Sequence, residues 1–480
     1  MGSDRRTHFR LGIRGGLSTC VALAAAAALA QGASAAGFTA YVTNMGGGTV
    51  VPIATSTNTA GAPITGVQSP AGIAVTPDGR TAWVTDNNGL SVESINTATN
   101  TTGSSILTAN PFMIAIAPDG DRALVTNENE TSANAVTPLD LSAGTAGTPI
   151  PLAGATDVAV SPNDTTAYVT TGGAVTPVTL ATDTAGTPIP VPSGAQYIAI
   201  SPDGRTAYVT GNDAVTPITL TTGAVGAPIA VPNGAFRIAI APNGRTAYVT
   251  NGDATGGVQG YVTPVSLTTN TAGASIPVNC CAFVIAITPD GQDAYVADTF
   301  ANVVTPISLS SGAAGTPIAT GLEPYDVAVA HQPLIGNPSV EARTDGVPAG
   351  TAEAFAETPR YSAGLTSLHL YVDASSAATR VRIGLYTSSH GRPTFLLGQT
   401  TITDVAPGWN YVQVPTRSLS AGQRVWVAVL SPHGDGALRI RDDAASAPGA
   451  QTSLSARLLS LPVFWLGRNV ADGNLSAYGN

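Results

Sequence analysis

Six carboxylates recur at one kind of place in this chain of 480 residues. Asp86, Glu128, Glu130, Asp213, Asp253 and Asp298 each follow a short apolar segment of the type "AYVT", in stretches such as "DNNG", "NENETSAN", "GND", "NGDATGGVQG" and "DTFAN". Carboxylates among amides and backbone carbonyls can bind Ca²⁺, which takes oxygen ligands, or can keep loops solvated. Hydrolysis or elimination would need a base or nucleophile as well, most often His. These stretches contain neither His nor Arg; the histidines are His8, His331, His369, His390 and His433. Cys280 and Cys281, the only cysteines after Cys20, are adjacent. In an oxidising compartment they can form a vicinal disulfide; otherwise they are two half-buried thiols. No basic residue nearby in sequence would lower a thiol pKa, which argues against redox work. Trp409 and Tyr411 follow an "APG" turn and suit stacking on a sugar face. Trp465 is a further aromatic candidate, and Trp426, inside the apolar "RVWVAVL", reads as core.

The elements that position these groups are short strands. A unit of four strands repeats: an apolar strand ("YIAI") leading through a Ser-Pro-Asp-Gly turn into a second ("TAYVT"), then a third ("AVTPITL") and a fourth ("GAPIAV"). Pro fixes φ in the turn and Gly204 supplies the left-handed residue, while Asp119, Asp203 and Asp290 read as turn-formers. The large residue of the second strand recurs at Tyr41, Trp83, Leu124, Tyr168, Tyr208, Tyr248 and Tyr295, spaced by 40 to 47 residues. Four strands at that period predict the blades of a β-propeller, so the fold class is all-β. The chain enters at "FTAYVTN" without a first strand, and the missing one arrives last, as "YDVAVA" at 325–330. Residues 36–333 therefore read as a seven-bladed propeller closed by interlocking termini, with the late strand innermost in the first blade. Pro138, Pro177, Pro217, Pro264 and Pro306 conflict with this, because a third strand should be interior and proline lacks the N–H. A bulge or late pairing is expected there. Pro149, Pro188, Pro228 and Pro317 fall in the outermost strand, where proline blocks edge pairing.

Composition bounds the partners. Residues 36–333 carry five Arg against nineteen Asp and Glu, a formal charge near −14; residues 334–480 carry eleven Arg and ten acids, near +1. Such a propeller repels nucleic acid. Residues 1–35 read as a signal peptide, with Arg5, Arg6, Arg10 and Arg14 ahead of an apolar run and "ASA" before the cleavage point, and no later apolar run of about 20 residues suggests a membrane span. Export to the cell wall or medium is the expectation. Residues 334–480 show longer alternating strands, "LTSLHLYVDA", "TRVRIGLYTS", "NYVQVPT" and "RVWVAVLS", which predict a β-sandwich.

"AYVTN" at 40–44, "AYVTNG" at 247–252 and the repeated "VTPI" resemble the YVTN-type β-propeller repeats of bacterial and archaeal secreted and surface-layer proteins. That resemblance implies a scaffold fold and leaves the activity open. "GLYTSSHGRPTFLLGQ", "PGWNYVQVP" and "AGQRVWVAVL" resemble jelly-roll-like accessory modules of secreted bacterial proteins, some of them carbohydrate-binding. The functional expectation is a non-enzymatic binding or scaffold protein engaging a protein or polysaccharide at the cell surface. The alternatives are a lactonase-like hydrolase or lyase, and an architectural surface-layer component.

Overall fold

The computed structural model describes residues 38–127, 135–232, 234–251, 259–330, 334–336, 343–360, 363–403, 405, 407–442, 450–453, 455–465, 467–470 and 477–479. Residues 1–35, where the signal peptide is expected, lie outside the described residues. Strands from Thr39 to Ala330 form seven antiparallel sheets. In the order inner, second, third, outer, the second blade runs Pro70–Val75, Thr81–Asp86, Ser91–Asn96, Thr101–Leu107. The first blade takes its inner strand, Pro324–Ala330, from the far end of the repeat, paired with Thr39–Asn44 so that Val42 faces Val327. The inner strands contact one another in cyclic order from Pro70–Val75 round to Pro324–Ala330, which touches both Ala282–Ile287 and Pro70–Val75. The propeller is closed by interlocking ends.

The second strands lack hydrophilic alternation because both of their faces are covered. Tyr41 packs with Ile73, Ala82, Val84 and Ile95 of the next blade, while Ala40 and Val42 pack with Tyr295, Ala297 and Val304 of the preceding one. The same division recurs at the other interfaces, so the core consists of clusters shared between neighbouring blades. Each fully buried Val, Ile or Leu there contributes roughly 1.5–3 kcal/mol.

The Thr of "AYVT" joins blades by hydrogen bonds. Its hydroxyl accepts from the inner-strand N–H of its own blade, at 2.8–3.1 Å for Thr85, Thr126, Thr170, Thr250 and Thr43. It also donates to an inner-strand carbonyl of the following blade: Thr43 to Ala71, Thr85 to Phe112, Thr126 to Thr156, Thr170 to Gln196, Thr210 to Phe236 and Thr250 to Phe283, at 2.5–3.3 Å. In the seventh blade Ala297 stands at this place, and Thr299 donates to the Pro324 carbonyl instead, at 2.9 Å.

The third-strand prolines are resolved by the direction of their peptide groups. The Pro138, Pro177, Pro217, Pro264 and Pro306 carbonyls accept from Gly147, Gly186, Gly226, Gly273 and Gly315 of the outer strand, at 2.7–2.8 Å. In a strand a residue's N and C=O point to the same side. The missing N–H therefore faces outward and leaves the ladder to the second strand intact. Opposite each of these prolines the outer strand is interrupted, as between Thr145–Ala146 and Ile150–Pro151. Pro149, Pro188, Pro228 and Pro317 sit inside those interruptions. The second blade is the control: Ser94 replaces the proline and the outer strand Thr101–Leu107 runs on, with a register shift between Glu93 and Ile95.

Strands from Ile335 to Gly479 form two six-stranded sheets. One buries Leu368, Leu370, Leu438 and Ile440, the other Val381, Ile383, Val427 and Val429. The opposite face of the second sheet buries Trp426, Tyr386 and Ala428 beneath Leu461 and Trp465.

Candidate functional site

Of the six carboxylates singled out from the sequence, Asp86, Asp213 and Asp298 are among the described residues, and these three form no common cluster. Asp86 ends a second strand and is buried, its Oδ1 accepting from the N–H groups of Ser69 and Gly89, both at 2.9 Å, and its Oδ2 from that of Gln68 at 2.7 Å. Asp298 holds the equivalent place in the seventh blade, fully buried, and accepts from the Thr305 hydroxyl. Burial lifts its carboxyl to about 7, against the opposing hydrogen bonds from Thr305 and Asn279. Other blades put Asn44, Asn127 and Asn251 here, all buried. The position holds the blade's own loop in place. Asp213 is exposed in a two-residue turn, with φ of 43° at Asn212 and 57° at Asp213. Such a hairpin turn favours Asn and Asp, which tolerate the left-handed region. Glu128, Glu130 and Asp253 lie outside the described residues. Among the described residues no group of three or more His, Cys, Asp or Glu is placed to hold a metal ion.

No disulfide joins Cys280 to Cys281; Cys281 is buried, Cys280 half-buried, and Cys281 takes a left-handed φ of 65°. Trp409 and Tyr411 lie in the strand Gly408–Leu419, opposite Tyr371 and His369, but their side chains are outside the described set. Trp426 and Trp465 are buried, Trp465 edge-on to Tyr386 at 5.2 Å.

A different constellation forms where the inner strands begin, on the side of the loops between second and third strands. Two consecutive residues precede the repeated "[VI]A[VI]" of each inner strand: Tyr325-Asp326, Ala71-Gly72, Phe112-Met113, Thr156-Asp157, Gln196-Tyr197, Phe236-Arg237 and Phe283-Val284. The first of each pair forms an outer tier, and four of these are aromatic and half-buried. Phe236 meets Phe283 at 4.6 Å, Phe283 meets Tyr325 at 4.7 Å, and Tyr325 meets Phe112 at 5.8 Å, with planes inclined by 48–64°. Tyr197 of the lower tier extends the arc, 4.7 Å from Phe236. Five rings from five blades thus make an aromatic cup.

Its floor is charged. The Arg237 guanidinium lies 4.0 Å over the Tyr197 ring, with Nη1 3.4 Å from Asp157 Oδ1 and Nη2 2.8 Å from Met113 Sδ; its Nε is buried without a partner. The two acids of this tier also bridge blades: Asp157 accepts from Ile198 N–H at 3.1 Å and Asp326 from Ile73 N–H at 3.0 Å. Burial raises both carboxyls against the pull of Arg237, Asp326 to about 6. At the rim, Phe300 and Leu322 are 68% and 59% exposed. Their loops are tied by Glu323 N–H to Asn302 Oδ1 at 2.8 Å and by the Thr299 bond to Pro324.

Attention to the loops missed this cup. The available signal was internal: within an otherwise repeated inner strand, the two residues before "[VI]A[VI]" are the ones that differ from blade to blade.

No protein-family model and no curated protein matches the sequence. Solved structures do resemble it. A functionally unknown protein from Desulfotomaculum acetoxidans DSM 771 is 15% identical with a TM-score of 0.54, over 61% of this chain and 99% of that one. The periplasmic gluconolactonase PpgL of Pseudomonas aeruginosa is 16% identical (TM-score 0.52; 62% and 99%), and a candidate 6-phosphogluconolactonase from Bacteroides uniformis ATCC 8492 is 17% identical (TM-score 0.52; 62% and 100%). At these identities the likeness is one of fold. The chain has the β-propeller fold.

Proposed function

We propose that this is an exported recognition protein, a YVTN-type propeller whose aromatic cup seats the apolar face of a cell-surface partner. The observation that carries this is the tier of Phe112, Phe236, Phe283 and Tyr325, half-buried rings contributed by four blades of a closed ring. Aromatic side chains held by a rigid frame offer large contact area at small entropic cost, and concave apolar sites with a few polar groups are where ligands bind. In this reading the Arg237–Asp157 pair fixes the floor, and the sandwich adds polysaccharide affinity through Trp409 and Tyr411.

The test is co-sedimentation with purified bacterial cell envelopes. The wild type should be retained, and Phe236→Ala with Phe283→Ala should weaken retention at least about tenfold, a loss of about 1.4 kcal/mol, with the melting temperature kept within a few degrees. Unchanged retention in a folded double variant would sink the mouth as the binding site. A second reading, hydrolysis of a sugar lactone, is favoured by one observation: the half-buried Asp326 carboxyl, lifted to about 6, is coupled electrostatically to Arg237. A carboxylate base poised near neutrality within the field of a guanidinium suits acyl transfer. Turnover of gluconolactone that is lost in Asp326→Asn would replace the recognition reading.

A further inference from the structure

An apolar loop covers one face of the second sheet and leaves several of its own large side chains in solvent. Residues 458–465, "LLSLPVFW", cross one face of the second sheet and bury Leu461 and Trp465 against Tyr386 and Trp426. Other side chains of the loop lie in solvent: Phe464, Leu459 and Val463 are 68%, 65% and 55% exposed, and Phe395, bridged to Phe464, is 46% exposed. The loop is fastened, not frayed: Phe395 and Phe464 form a β-bridge with rings 5.6 Å apart, Leu396 N–H donates to the Val463 carbonyl and Trp465 N–H to that of Thr394, both at 2.9 Å. Contiguous exposed apolar side chains of this size on an ordered surface mark an interaction site.

Charge selects the occupant. In the segments that bear the knob, 392–403 and 455–465, the only charged residues are Arg392 and Arg457, and both are exposed. The propeller is near −14 and the whole chain −10, so an anionic lipid surface would be repelled by most of the molecule. The propeller mouth offers an apolar surface edged by acid, the arc of rings with Phe300 and Leu322 at its rim beside the exposed Glu323. We propose that the loop around Phe464 on one copy docks into the propeller mouth of a second copy. The contact joins unlike surfaces, so each copy keeps a free knob and a free mouth, and association is open-ended. This names the partner of the mouth and rests on the reading of the mouth as a binding site.

Sedimentation velocity of the full chain tests it. The wild type should form species that grow with concentration beyond a dimer. Phe464→Ser with Val463→Ser in one variant, and Phe300→Ser with Leu322→Ser in another, should each be monomeric; all four side chains are exposed, so folding is spared. Mixing the two variants should give a one-to-one complex that grows no further, because only one knob and one mouth are intact. Arg457→Glu should weaken that complex and Glu323→Arg opposite it should restore it. A wild type that is monomeric at every concentration overturns the proposal, as does association that survives the mouth variant, which would mean knob against knob. If the wild type stays monomeric yet envelope retention still depends on Phe236 and Phe283, only this inference falls.

Discussion

At the scale of single residues, the repeated Thr does two jobs with one hydroxyl, and its loss should be felt. Thr85 accepts from Gly72 N–H and donates to the Phe112 carbonyl; Gly72 is buried with it and Phe112 is half-buried. Thr85→Val keeps the shape and strands both groups, so we expect a loss of roughly 1–3 kcal/mol in chemical denaturation; a loss below the error of the fit would show the staple to be idle. Asp298 makes the opposite case. Its folded carboxyl titrates at about 7 against an ordinary 3.8, so folding favours the protonated acid. The stability it contributes is complete below about pH 4 and disappears as pH rises through about 7. Asp326, at about 6, acts in the same sense. The melting temperature should therefore fall between acid and mildly alkaline pH. Asp298→Asn, which installs the residue found at Asn44, Asn127 and Asn251, should raise stability at pH 8 and flatten the profile in calorimetry. A variant less stable than wild type at pH 8 would contradict this.

At the scale of elements, proline and glycine form a matched pair across the third and outer strands. A Cβ on Gly61, Gly147, Gly186, Gly226, Gly273 or Gly315 would come within 2.9–3.2 Å of the Cγ of Pro52, Pro138, Pro177, Pro217, Pro264 or Pro306. Gly226→Ala should cost about 1–3 kcal/mol through overpacking, and Pro217→Ala should recover part of that cost in a double-mutant cycle; strict additivity would deny the contact. Much of this architecture was legible in the sequence, because hairpin turns and strand lengths are local facts that repeat from blade to blade, and against that repeat the first strand missing before "FTAYVTN" stands out. The proline puzzle was not, since its answer is which way one peptide group points. Nor was the cup: Phe112, Phe236, Phe283 and Tyr325 are scattered over more than two hundred residues and become neighbours only when the ring closes. Asp86 and Asp298 misled for a related reason, as a carboxylate after a strand looks the same in sequence whether it faces solvent or caps its own backbone.

At the scale of the whole molecule, closure depends on one strand. Pro324–Ala330 completes the first blade, and Asp326 ties it to Ile73 of the second. Ending the chain before residue 325 should remove both interfaces and lower the melting temperature of the entire propeller, whereas ending it after residue 336 should leave the ring folded. Equal melting of the two truncations, followed by circular dichroism, would show that the ring holds without its closing strand.

The seam also sets a timetable. Thr43 and Asp326, hydrogen-bonded in the finished ring, are separated by 283 positions along the chain. Contacts of such long range are slow to form, because the loop entropy is spent before they can repay it. Throughout synthesis the strand Thr39–Asn44 waits with its inner edge unpaired, and every later blade can assemble on its predecessor while the first stays open. The ring cannot lock until its last strand is available, so the order of synthesis and closure is set by topology alone.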